Sequence, residues 1–300
     1  MRPAALGGIL APLTTPFDAE SGDVAPLALR REARDLIAAG LDGVVVAGST
    51  GESALLDESE KVRAVEWLRE VVPEDRWLVA GTGAESTRAS VRLTLAAASA
   101  GADAVLVRPP SYFSVLLSAS VIADHYRRVA DASPVPVIVY NIPKYTHVML
   151  QDSTLRALAD HERIVGFKDS SGDLKVFAGF RAALPRAAAL VGGGSLLYPA
   201  LEMGAAGGVL GVACFAPAVC AGLLAAYRAG DLVAAGALQE RLTPLHKEIV
   251  VALGPAGIKA AMEAVGFPGG PVRAPLQPLD VKQRVRVAAL LAAAGLAAAA

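Results

Sequence analysis

Eight short apolar runs, each followed by a longer segment with helical periodicity, constrain the fold of this 300-residue chain more than any other feature. The runs are rich in Val, Ile, Leu and Ala, as buried strands are. We predict strands at residues 8–13, 43–47, 77–80, 104–107, 136–140, 164–168, 189–192 and 208–212.

The segments between these runs carry the signals of amphipathic helices. Ala, Leu and Val recur at i, i+3 and i+4. Asp57 followed by Glu60 has the spacing of a capping box, and Gly40 and Gly101 stand where helices should end. Examples of the predicted helices are residues 26–39, 58–72, 87–100 and 120–132.

Continuous apolar strands, rather than alternating ones, indicate a parallel sheet that helices cover on both faces. An open, doubly wound sheet is the alternative, but it favours a glycine-rich phosphate loop after the first strand, where this chain has LTTPF. We therefore predict an α/β fold, a (β/α)8 TIM barrel of residues 1–230. Residues 231–300 are predicted to form a C-terminal helical appendage, with helices at 231–253, 257–265 and 280–294.

Composition excludes several partners. With 28 basic and 29 acidic residues and no basic run, the chain has no electrostatic footprint for nucleic acid or an anionic membrane. No apolar run reaches the ~18 residues of a membrane span, and Gly and Pro interrupt the N-terminal apolar run before it could be a signal peptide. Cys214 and Cys220 are too few for a zinc site. They are expected to be buried free thiols, which fits a reducing cytoplasm.

Lys168 is the candidate nucleophile. Functional side chains of such barrels come from the C-terminal ends of the strands and the loops after them. Of the seven lysines only Lys168 ends a predicted strand; Lys144 lies in a loop, and the rest lie in predicted helices. A buried ammonium is costly, and a free amine attacks carbonyl groups. A structural lysine that pairs with Asp169 or extends to solvent is the alternative.

Two further features should lie at the same mouth of the barrel. Tyr140 ends the neighbouring predicted strand, and its phenol could relay protons, although a tyrosine that merely fills the barrel top is the alternative. The loop Gly48-Ser49-Thr50-Gly51-Glu52 follows the second strand. Its hydroxyls and consecutive N–H groups could bind a carboxylate, or it could be an ordinary turn.

Together, the motifs APLTTPF, GSTGE, YNIP and GFKDSSGD resemble the dihydrodipicolinate synthase and N-acetylneuraminate lyase family over residues 7–280. The resemblance implies a barrel with C-terminal helices that is usually a cytoplasmic homotetramer, a dimer of dimers. It also implies a metal-independent lyase acting on small-molecule 2-oxo acids and aldehydes. The substrate would be held covalently as an imine on Lys168, with no dissociable cofactor.

Carried over residue by residue, the resemblance assigns roles to the motif positions. Lys168 would form the imine, with Tyr140 and Thr50 relaying protons, and Tyr112 would reach across a subunit interface. Backbone amides of Ser49 and Thr50 would hold the substrate carboxylate. The remaining candidate substrate-binding residues are Gly51, Gly193, Leu210, Ser170 and Tyr145.

The motifs also bear on the reaction. Synthases of the family usually carry an arginine where this chain has Tyr145, although Lys144 or Arg108 could replace its charge. Further segments, AGTGAEST, GADAVLVRPPSYF and GGPVRAPLQPL, resemble 4-hydroxy-2-oxoglutarate aldolases. Those aldolases tend to have asparagine at the position of Thr50, whereas the synthases share the threonine.

We therefore expect cleavage of 4-hydroxy-2-oxoglutarate to pyruvate and glyoxylate. Three alternatives remain: dihydrodipicolinate synthesis from pyruvate and aspartate semialdehyde, a 2-keto-3-deoxy sugar-acid aldolase or dehydratase, and a non-catalytic 2-oxo-acid-binding protein. Sialic acid cleavage is disfavoured, because lyases of that branch usually follow the lysine with Phe-Thr rather than Asp169-Ser170.

Overall fold

Eight parallel strands form a closed barrel in the order of the sequence in the computed structural model, which describes residues 5–296. The strands β1 to β8 are Gly8–Pro12, Gly43–Val46, Trp77–Gly81, Ala104–Val107, Val137–Asn141, Ile164–Asp169, Ala188–Val191 and Gly207–Val209. β1 also pairs with β8, which closes the ring. The predicted (β/α)8 TIM barrel is therefore confirmed.

Helices follow the strands and cover the outside of the barrel. The helices α1 to α9 are Pro26–Ala38, Glu58–Arg69, Thr87–Ser99, Ala119–Ala132, Pro143–Thr146, Asp152–Arg156, Leu174–Ala183, Leu197–Glu202 and Pro217–Arg228. The capping box at the start of α2 is present, since the N–H of Asp57 donates to Glu60 at 2.8 Å. Gly40 and Gly101 follow α1 and α3 in the left-handed conformation that commonly ends helices.

The C-terminal helices α10 to α12 are Leu232–Leu245, Ala252–Ala264 and Val281–Ala293. A π-helical turn, His246–Val251, joins α10 directly to α11, and Gly254 breaks the helical backbone near the start of α11 with φ 61°. The predicted gap between residues 253 and 257 thus corresponds to a kink rather than a loop. Pro255 follows the kink and has no N–H for the carbonyl of Val251, four residues earlier.

Two apolar layers make the core. Inside the barrel, strand side chains such as Leu10, Val79 and Ile138 pack together. A larger layer lies between strands and helices and includes Leu242, Ile258 and Val287 of α10 to α12. These helices therefore pack on the barrel. The division into domains at residue 230 stays a prediction, and its outer ends, residues 1–4 and 297–300, lie outside the described residues.

Within residues 5–296, no helix is both long and apolar enough to cross a membrane. Cys214 and Cys220 are buried free thiols, as predicted.

Candidate active site

Lys168 and Tyr140 lie side by side at the C-terminal ends of β6 and β5, where the strand register pairs the two residues directly. Lys168 Nζ is 4.2 Å from the centroid of the Tyr140 ring. Both residues are 5% exposed. The amine and the phenol therefore lie together in one largely buried position.

Both residues line a cavity of about 230 Å³ at the C-terminal mouth of the barrel. Its wall contains Lys168, Tyr140, Ser49, Thr50, Ser170, Gly193 and Tyr145, which are seven of the ten residues predicted for the site. The other three, Gly51, Leu210 and Tyr112, do not line it.

Hydrogen bonds hold the loop after β2 on both sides of Ser49 and Thr50. The hydroxyl of Thr15 donates to the carbonyl of Gly51 at 2.7 Å, and the N–H of Ser53 donates to the carbonyl of Gly48 at 3.2 Å. A Cβ on Gly51 would lie 2.9 Å from the carbonyl oxygen of Leu13, so no larger residue fits. Gly51 thus packs the loop closely against the segment after β1, although it does not line the cavity.

Leu210 requires a correction. Its side chain is fully buried in the outer core, and Val209, one residue earlier, lines the cavity instead. The side chains of consecutive strand residues point to opposite faces, so a displacement of one residue moves a side chain from the inside of the barrel to the outside.

Asp169 shapes the loop after β6. Its carboxylate accepts hydrogen bonds from the amide of Asn141 at 2.7 Å and the hydroxyl of Ser171 at 2.7 Å. Burial raises its pKa, and these hydrogen bonds oppose the rise. The N–H of Ser170 donates to the carbonyl of Asn141 at 2.9 Å. Asp169 therefore orients the turn that brings Ser170 and Ser171 to the cavity wall, and no Asp169–Lys168 ion pair forms.

One wall of the cavity comes from the C-terminal helices, which the sequence did not predict. It consists of His246, Val250, Val251, Gly254, Pro255 and Ile258. The N–H of Gly194 donates to Nδ1 of His246 at 3.2 Å, so a neutral ring carries its proton on Nε2. Burial, with smaller contributions from Lys144 and Lys247, lowers the pKa of His246 to about 4.

Lys144 and Tyr145 lie between this cavity and a larger outer one that also contains Arg108. Lys144 Nζ donates to the carbonyl of Val251 at 2.7 Å. This carbonyl receives no helical hydrogen bond from Pro255, because proline has no N–H. Burial lowers the pKa of Lys144. Arg108, by contrast, lines only the outer cavity and pairs with Glu85 at 2.9 Å. Of the two cations, Lys144 is the one at the candidate site.

Glu85 is a strongly stabilised anion. Burial opposes its ionisation, but hydrogen bonds from the backbone of Tyr112 and Ser111, together with Arg108, lower its pKa to about 2. Glu85 is therefore ionised at neutral pH, and its charge offsets that of Arg108.

Tyr112 lies on the loop after β4, away from the cavity of its own chain. It is 81% exposed, and Phe113, Val115 and Leu116 beside it are also exposed. The expectation that Tyr112 reaches a partner subunit stays a prediction.

Comparison with known proteins agrees with this geometry. The dihydrodipicolinate synthetase family matches residues 5–294. An uncharacterised DapA-like lyase of Halobacterium salinarum is 41% identical over 98% of this chain and 96% of its own. The 4-hydroxy-tetrahydrodipicolinate synthase 1 of Streptomyces coelicolor is 40% identical over 97% of this chain and 94% of its own.

Among solved structures, YagE of E. coli K12, a prophage protein of the dihydrodipicolinic acid synthase family crystallised with pyruvate, superposes with a TM-score of 0.92. Its sequence identity is 28%, and the match covers 98% of this chain and 100% of YagE. Dihydrodipicolinate synthase DapA-2 of Bacillus anthracis gives 0.91 at 31% identity over 97% and 99% of the two chains. The chain therefore belongs to the dihydrodipicolinate synthetase family.

Proposed function

We propose that this lyase forms a Schiff base between Lys168 and a pyruvate-type 2-oxo acid and works as a class I aldolase. The observation that carries the proposal is the close pair of Lys168 and Tyr140, both buried, in a cavity whose wall also presents Ser49 and Thr50. An amine, a proton relay and a carboxylate-binding loop are the groups that imine chemistry on a 2-oxo acid requires.

The proposed reaction begins when the free amine of Lys168 attacks the C2 carbonyl of the substrate. Tyr140 donates its proton to the hydroxyl of the carbinolamine, which leaves as water and gives an iminium ion. The resulting phenolate, assisted by Thr50, takes the proton of the C4 hydroxyl as the C3–C4 bond breaks, and the bonding electrons pass into the iminium to give an enamine and a free aldehyde. Tyr140 then gives this proton to C3, and the regenerated iminium adds water, whose proton returns to Tyr140, to release pyruvate and the amine of Lys168. The iminium is the electron sink, so the mechanism uses no dissociable cofactor.

Our best candidate for the substrate is 4-hydroxy-2-oxoglutarate, which would give pyruvate and glyoxylate. Tyr145 replaces the arginine of the synthases with a neutral phenol. Lys144 and the Nε2 proton of His246 border the same cavity and could bind the second carboxylate of a short diacid. A lysine ammonium binds a carboxylate as a compact point charge, whereas an arginine guanidinium binds it through two N–H groups at once. The compact ammonium is compatible with a small aldehyde acid.

The second candidate is condensation of pyruvate with aspartate semialdehyde, and the relatives favour it. Several are named 4-hydroxy-tetrahydrodipicolinate synthase, at identities of 34–40%, and Thr50 matches the synthases. A sugar-acid aldolase or dehydratase, or a protein that only binds a 2-oxo acid, are the remaining alternatives. We further propose a cytoplasmic homotetramer.

A competition between aldehydes tests the proposal. The purified protein is supplied with pyruvate and, in separate reactions, glyoxylate, aspartate semialdehyde or acetaldehyde, and the condensation products are quantified by mass spectrometry. We expect the highest kcat/KM with glyoxylate and little product with acetaldehyde, which has no carboxylate. Preference for aspartate semialdehyde would establish the second candidate, and no product with any of the three aldehydes would overturn both the first and the second candidate.

A further inference from the structure

A buried ion pair joins the loop of Ser49 and Thr50 to the C-terminal helices. Glu52, the last residue of this loop, has a left-handed backbone with φ 56° and a side chain that is 0% exposed. Its Oε1 lies 2.7 Å from Nζ of Lys259, whose side chain is 2% exposed and which belongs to α11. A charged pair this deep is held by its immediate contacts rather than by solvent.

The ammonium of Lys259 contacts three oxygen atoms. Besides Glu52, it donates to the carbonyls of Thr15 at 2.7 Å and Pro271 at 2.6 Å. It also lies 4.5 Å from the centroid of the Phe17 ring. Burial lowers the pKa of Lys259, and the charge of Glu52 opposes this. Lys259 thus connects the loop after β1, the loop after β2 and the segment after α11.

The second carboxylate oxygen of Glu52 accepts a hydrogen bond from the segment that follows α11. The N–H of Arg273 donates to Oε2 at 2.8 Å. The guanidinium of Arg273 continues to the carbonyl of Leu55 at 2.9 Å and to Glu60 at 2.7 Å. Both carboxylate oxygens of Glu52 therefore meet groups that lie more than 200 residues further along the chain.

A chain of contacts leads from Lys259 to the cavity wall. Thr15 accepts from Lys259 through its carbonyl and donates through its hydroxyl to the carbonyl of Gly51, the neighbour of Thr50. Glu52, the next residue of the loop, is bound to Lys259 directly. The loop is thereby held at Gly51 and Glu52, directly after Ser49 and Thr50, by contacts that involve Lys259.

We propose that Lys259 is a positioning residue for 2-oxo-acid recognition, acting through Glu52 and Thr15 on the loop that holds the substrate carboxylate. The inference rests on the proposed function, because it assigns carboxylate binding to Ser49 and Thr50. It makes the C-terminal helices part of the site. The competing interpretation is that the pair contributes to stability alone, as buried ion pairs replaceable by apolar residues do.

The test compares Lys259→Met with the double variant Glu52→Gln/Lys259→Met, in which no unpaired buried carboxylate remains. The pyruvate concentration that gives half-maximal borohydride trapping on Lys168 is measured for each, with circular dichroism to monitor folding. We expect this concentration to rise ~10-fold or more in both variants, while saturating pyruvate still labels Lys168, because displaced amides weaken binding without removing the amine.

Arg284→Met is the matched control. Arg284 forms an exposed ion pair with Glu263 at 3.6 Å in the same part of the chain, so its loss should leave the half-saturating concentration unchanged. A folded double variant with the wild-type half-saturating concentration would overturn the inference, since the pair would then serve stability only.

If neither Lys259 variant folds, Thr15→Val tests the inference instead. This variant retains both buried charges and removes only the hydrogen bond from the Thr15 hydroxyl to Gly51. We expect its half-saturating pyruvate concentration to rise ~3-fold or more; a wild-type value overturns the inference. Failure of the wild-type protein to trap pyruvate would instead overturn the proposed function.

Discussion

Lys168 and Tyr140 face each other across the β5–β6 pairing, so one side chain can supply the electron pair and the other can move the proton. In the proposed reaction, Lys168 binds the substrate as an imine and Tyr140 transfers the protons. Removal of the phenol should leave imine formation possible while it slows each step that needs a proton.

We predict that Tyr140→Phe retains pyruvate trapping on Lys168 but lowers kcat by ~10²-fold or more. Steady-state kinetics beside the trapping assay would measure both effects. Tyr227→Phe is a suitable control, because the Tyr227 hydroxyl donates to the carbonyl of Leu201 outside the cavity. Equal turnover in wild type and Tyr140→Phe would remove Tyr140 from the relay.

His246 makes the stability of the protein depend on pH. Its pKa is about 4 in the folded protein against 6.5 for an ordinary histidine, because burial disfavours the charged ring. The folded state therefore binds fewer protons than the unfolded state between pH 4 and 6.5. The stabilisation is complete above pH 6.5 and is lost as the pH falls toward 4.

We predict that His246→Gln reduces the loss of unfolding free energy between pH 7 and pH 5 by about 2 kcal/mol relative to wild type. Urea unfolding at the two pH values would measure this difference. An identical pH dependence in both proteins would show that the ring titrates normally in the folded state.

The residues that sequence patterns located were those that end strands or follow them. Lys168, Tyr140, Ser49 and Thr50 reached the cavity because parallel strands of a barrel deliver their C-terminal ends to one mouth. His246 and Lys259 were missed, because helical periodicity shows which face is apolar but not which turn of a helix approaches the mouth. No sequence signal placed α11 there.

At the scale of elements, the eight strands were located to within a few residues, since buried parallel strands are continuous apolar runs. The junction of α10 and α11 was not. Its π-helical turn depends on how the two helices seat on the barrel, and local sequence does not encode that packing. In the sequence, the only sign of the kink near Gly254 is the dipeptide Gly254-Pro255.

A glycine in β3 allows the backbone just after β2 to approach closely. A Cβ on Gly81 of β3 would lie 2.1 Å from the carbonyl oxygen of Ala47, so the backbone would have to move. We predict that Gly81→Ala destabilises the protein by about 2 kcal/mol or more. Thermal and urea unfolding would measure it.

Gly236 in α10 is the matched control, because nothing lies within 4 Å of the position of its Cβ. Gly236→Ala should stabilise the protein by about 0.5–1 kcal/mol through helix propensity. A Gly81→Ala protein as stable as wild type would contradict the close approach.

At the scale of the whole molecule, the exposed apolar loop of Tyr112, Phe113, Val115 and Leu116 is an unusual surface for a monomer. Tyr112 was predicted only through the resemblance to the family, because the residue pattern of one chain does not show which surface a partner subunit buries. The homotetramer remains a prediction.

We predict that sedimentation of the wild-type protein gives four times the mass of one chain. Substitution of the apolar loop by Tyr112→Ser together with Leu116→Ser should shift the protein toward smaller species, because it removes apolar contact area. A monomeric wild-type protein at micromolar concentration would contradict the expected assembly.

The central claim is that Lys168 forms an imine with a 2-oxo acid. Borohydride reduction in the presence of pyruvate, followed by peptide mass spectrometry, tests it most directly. The account predicts a reduced pyruvate adduct on Lys168 and no adduct in Lys168→Ala. An unmodified Lys168, or an adduct that persists in Lys168→Ala, would contradict it.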